Sequence, residues 1–61
     1  MTKSELKNEM AGVAHHMEQL AIGMAVYAQT IKNKKEKLNI TIHVAQLHGA
    51  AEMLDDWGRE I

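Results

Sequence analysis

The residues most capable of chemistry in this chain are four histidines, His15, His16, His43 and His48, because neutral imidazole is the commonest metal ligand in proteins. Two ligands on one helix must stand three or four residues apart to share a face, and no His-x-x-x-His is present. Nor is there a Glu-x-x-His, since the residues three before each histidine are Gly12, Val13, Ile40 and Ala45. The usual di-iron carboxylate bundle is thereby excluded. His15 and His16 are adjacent and would project about 100° apart on a helix, too far to share an ion. One looser arrangement remains, His16 with Asp55 or Asp56, provided the chain folds back so that they meet at one level. Ordinary surface histidines are the stronger expectation, and no metal or other cofactor is expected.

Other chemistry is no better supplied. The chain has no cysteine, its one serine is Ser4, and no glycine-rich loop precedes a helix to cradle a phosphate. Asp55 and Asp56 are neighbours that point different ways, and paired-carboxylate catalysis needs a cleft that so small a chain hardly provides. An enzyme is not expected. The segment KNKKEK, residues 32–37, gathers Lys32, Lys34, Lys35 and Lys37, which could contact phosphate oxygens of a nucleic acid. It holds no arginine and no aromatic to stack on a base. Lysine-rich turns ordinarily serve solubility and complement the negative end of a preceding helix.

Whatever these residues do, the elements that carry them must first be stable. A chain of 61 residues buries only about 60% of the surface its unfolded form exposes. Without cysteine there is no disulfide to help, so self-association is the expected support. The formal net charge of −1 argues against both a strongly basic nucleic-acid coat and an acidic mimic of one. The apolar run LAIGMAVYA, residues 20–28, is too short to cross a membrane, which takes about 20 residues. No basic region followed by an apolar stretch and a cleavage site opens the chain, so a cytoplasmic location without membrane attachment is expected.

Thr2 followed by Glu5 fits a capping box and predicts a helix from about residue 3 to 32. Large apolar residues then recur at Leu6, Met10, Val13, Met17, Leu20, Met24, Tyr27 and Ile31, with gaps alternating four and three. A second seam follows a connection at about 33–39: Ile40, Val44, Leu47, Ala51, Leu54, Gly58 and Ile61. It predicts a helix over about 40–57, capped by Asn39 or Thr41 and stopped at Gly58. Pairing residues whose numbers sum to 71 sets Ile31 against Ile40, Met24 against Leu47, Val13 against Gly58 and Met10 against Ile61. The expected fold is thus all-α, an antiparallel two-helix hairpin that dimerises into a four-helix bundle.

In that register Ile22, Gly23, Val26, Ala50, Met53 and Trp57 fall outside the seam on one flank. A contiguous apolar patch of this kind calls for a cover, where a single exposed residue would not. A second copy of the chain is the simplest one. The functional expectation is a helical protein-interaction module acting as regulator, inhibitor or adaptor on an unidentified protein. In its sharpest form it is a bacterial or phage accessory protein that blocks a host factor. The alternative is a small dimeric RNA-binding hairpin that uses the lysine-rich loop.

Overall fold

The computed structural model describes all of residues 1–61. Two helices, α1 (Lys3–Ala28) and α2 (Lys34–Glu60), pack against each other as a rod with extents of 47 × 15 × 13 Å. There are no strands, and neither helix is long and apolar enough to cross a membrane. The expected helical hairpin is therefore present, with different boundaries and a different seam.

Thr2 caps α1, its hydroxyl oxygen accepting from the Glu5 amide at 3.1 Å. The far end of α1 comes four residues earlier than the heptads predict. There the amides of Gln29, Thr30 and Ile31 bond the carbonyls three residues back, a tighter winding that closes the helix without glycine or proline. The Thr30 hydroxyl reinforces it by donating to the Tyr27 carbonyl at 2.7 Å.

The connection is residues 29–33, not 33–39, because Asn33 makes a strong start for α2. Its side-chain oxygen accepts from the amides of Lys35 (2.9 Å) and Glu36 (3.2 Å), satisfying two of the free donors every helix N-terminus carries. Asn39 and Thr41, the caps expected from sequence, lie inside the helix. Thr41 spends its hydroxyl on the Lys37 carbonyl at 2.8 Å, and His43 Nδ1 donates to the Asn39 carbonyl at 2.7 Å. At the other end Gly58 does not stop the helix; α2 runs on to Glu60 and no glycine takes a positive φ.

The seam is the larger correction. On α2 the inward row is the expected one, Ile40, Val44, Leu47, Ala51, Leu54 and Gly58, all buried or half-buried, while Ile61 is exposed. On α1 the half-buried methionines Met10, Met17 and Met24 also point inward as expected. Between them, however, stand Ala14, Ala21 and Ala28 rather than Val13, Leu20 and Tyr27. Those three alanines and Ala51 are the only buried residues. A methyl group built on Gly58 would lie 3.8 Å from Met10 Cβ, so Gly58 faces Met10 and not Val13. The facing sum is 68 in place of 71.

A register of 68 sets Ala14 level with Leu54, Met17 with Ala51, Ala21 with Leu47 and Ala28 with Ile40. At these levels, as at Met10 and Gly58, a large side chain meets a small one, and of the inward rows only Met24 stands level with another large residue, Val44. This lets the helices approach closely and fill the space between them. A sum of 71 would have set Met17 on Leu54 and Met24 on Leu47, large on large. Sequence periodicity could not separate the two, since both use the same methionine row; the cap at Asn33 and the short turn choose.

Candidate interaction surface

In an antiparallel pair, the residues just after one core row share one flank and the residues just before the other core row share the opposite flank. The first flank carries Glu18 and His48, which meet across the hairpin: His48 Nδ1 lies 3.1 Å from Glu18 Oε2 and its Nε2 lies 3.0 Å from Glu52 Oε1. Arg59 joins Asp55 at 2.7 Å and Asp56 at 3.5 Å along α2. All the close contacts between basic and acidic side chains belong to these two groups, each with at least one member on this flank.

The opposite flank is apolar. From α1 it receives Leu6, Val13, Leu20 and Tyr27, spaced by seven residues, and from α2 Ala50 and Trp57 with Met53 beside them. On this flank the neighbouring residues sum to 70, two more than the core pairs, so Trp57 adjoins Val13, Ala50 adjoins Leu20 and His43 adjoins Tyr27. Val13, Leu20 and Tyr27 are the side chains displaced from the expected seam by the alanine row. Leu20 is 50% exposed, Trp57 52% and Tyr27 60%. No lysine or arginine lies on this stripe. Glu9, Glu36 and Glu60 stand only toward its ends.

The six residues expected on one flank divide between two surfaces. Ala50, Met53 and Trp57 belong to the apolar flank, and Gly23 borders it with open space where a Cβ would be. Ile22 and Val26 point away, on the outer face of α1. They are exposed, as are Leu38 and Ile42 on the outer face of α2 toward the same end of the rod. Leu38 and Ile42 line an open groove of about 580 Å³ together with Asn33, Lys35, Glu36 and Asn39. The residues that sequence reasoning missed are Leu6, Val13, Leu20 and Tyr27. The signal was there in the run Ala14, Ala21, Ala28, which has the same spacing of seven.

The four lysines are all exposed at the loop end. They do not complement the end of α1, whose last turn holds no basic residue. Lys34, Lys35 and Lys37 instead sit in the first turns of α2, the positive end of its dipole, where each is disfavoured by a few tenths of a kcal/mol. The register places His16 beside the apolar flank and Asp55 on the charged one, where Arg59 occupies it. No group of three or more His, Cys, Asp or Glu side chains is arranged to hold a metal ion. Comparison with protein-family models, curated proteins and solved structures finds no match to the chain.

Proposed function

We propose that the chain is a non-enzymatic helical interaction module whose working unit is a homodimer, formed by burying the apolar flank in a four-helix bundle. One observation carries this reading: the hairpin turns Leu6, Val13, Leu20, Tyr27, Met53 and Trp57 outward, and its only buried residues are four alanines. Four methyl groups are a small return for ordering 61 residues, each of which gives up roughly 1–2 kcal/mol of backbone entropy. The flank of a rod 47 Å long and 15 Å wide presents about 700 Å², which two copies would bring into the range of stable interfaces. Ile22, Val26, Leu38 and Ile42 stay outside such a bundle. They are the surface through which it acts on another protein as regulator, inhibitor or adaptor.

Light scattering during gel filtration tests the proposal. The wild type and the variant with Lys32, Lys34, Lys35 and Lys37 changed to Gln are expected at twice 6.8 kDa, whereas Leu20→Ala with Trp57→Ala should fall toward 6.8 kDa. A folded monomer would remove the homodimer, and RNA binding that is lost in the lysine variant and indifferent to the flank variant would favour the nucleic-acid reading in place of the protein-interaction one.

A further inference from the structure

We propose that the second copy lies antiparallel to the first, loop end over terminal end, with α1 packed on its own mate and α2 on its own mate. The inference rests on the self-association proposed above and adds its geometry. Two hairpins can share the apolar flank about only two kinds of two-fold axis. An axis along the rod sets α1 over the mate's α2, with loop beside loop. An axis across the rod reverses the mate and sets each helix over itself.

The stripe on α1 decides between them. Leu6, Val13, Leu20 and Tyr27 are evenly spaced, so reversal about a point between Val13 and Leu20 maps the stripe onto itself: Leu6 meets Tyr27 and Val13 meets Leu20. The same reversal carries Trp57 onto Ala50, a large side chain onto a small one. In the parallel arrangement Tyr27 would instead fall on His43, a polar side chain. Reversal gives every member of the α1 stripe an apolar partner, which the parallel arrangement denies to Tyr27.

Charge gives an independent argument. The loop end holds Lys32, Lys34, Lys35 and Lys37 against Glu36, a net +3. The terminal end holds Lys3, Lys7 and Arg59 against Glu5, Glu9, Glu52, Asp55, Asp56 and Glu60, a net −3. Parallel hairpins would bring each cluster to within about 10–15 Å of its own copy, little more than a Debye length. Antiparallel hairpins keep like ends most of the rod's 47 Å apart. Like-charge juxtaposition selects orientation even where it adds little affinity.

Gln29→Cys provides the test, since the chain has no other cysteine and Gln29 is an exposed, uncharged turn residue off the apolar flank. A nitroxide is attached there and the distance between labels in the dimer is measured by double electron–electron resonance. The antiparallel dimer gives about 40 Å, from the rise of the helix between the label and the two-fold axis. A distance below about 25 Å, as helices packed side by side at one level would give, overturns the antiparallel geometry while leaving the dimer standing. Absence of a dipolar signal, with a monomer mass in sedimentation of the same labelled sample, overturns both.

Discussion

Met10 faces Gly58 across the hairpin, with 3.8 Å between the Met10 Cβ and the place a Cβ on Gly58 would take. That relationship fixes the register, and the register decides which apolar residues are buried in the hairpin and which are left exposed. Because 3.8 Å is an ordinary van der Waals separation, Gly58→Ala should fit. It should raise stability by up to about 1 kcal/mol, the helix-propensity gain of alanine over glycine. Gly58→Leu should lower it by about 1–3 kcal/mol through overpacking against Met10. Urea denaturation of the two variants reads both signs, and a tolerated leucine would show that position 58 does not face Met10.

The alanine row makes a second prediction. Ala51 is 1% exposed and level with Met17, so Ala51→Leu leaves no room for the added methylenes and should destabilise by about 1–3 kcal/mol. Ala45→Leu, an exposed position on the same helix, should change stability by less than about 0.5 kcal/mol. Equal responses at the two sites would mean that the alanines are not the hairpin core.

Asn33 holds the start of α2 through two amide hydrogen bonds. Asn33→Ala should therefore lower stability by about 1 kcal/mol, and Asn33→Asp should largely preserve it. Asn39, inside the helix, has no capping role, so Asn39→Ala should be neutral or slightly stabilising by helix propensity. The reverse pattern would restore a connection over 33–39.

The His48 cluster, although it holds the one side-chain hydrogen bond between the helices, across 30 residues of sequence, is solvent-exposed. Exposed pairs of this kind contribute about 0–1 kcal/mol. Glu18→Gln and Glu52→Gln should each move the denaturation midpoint only slightly, and the double variant should still form the hairpin by circular dichroism. Loss of helix in the double variant would assign the cluster a structural role that its exposure argues against.

How much of this was legible in the sequence depends on the residue. The α2 row from Ile40 to Gly58 was legible because no competing apolar row runs beside it. On α1 two rows compete, Leu6/Val13/Leu20/Tyr27 and Ala14/Ala21/Ala28, and hydrophobicity alone favours the larger one. What decides is complementarity: α2 already supplies Ile40, Leu47 and Leu54, and close packing level with them is met by the small Ala28, Ala21 and Ala14. Turn chemistry was the second blind spot. KNKKEK reads as a solvated loop by charge, yet its asparagine caps a helix whose first turns are the lysines themselves. The outward flank follows from these two facts taken together, and neither shows in a count of apolar residues.

The most direct test of the central claim, that the Leu20 and Trp57 flank is closed by a second copy, is the concentration dependence of thermal unfolding. Circular dichroism would follow it from about 1 to 100 µM chain, with sedimentation equilibrium at the same concentrations. A dimer predicts a midpoint that rises with concentration and a mass of twice 6.8 kDa, with Leu20→Glu reducing both mass and midpoint. A cooperative transition whose midpoint stays fixed over that range, together with a folded species of 6.8 kDa, would contradict it.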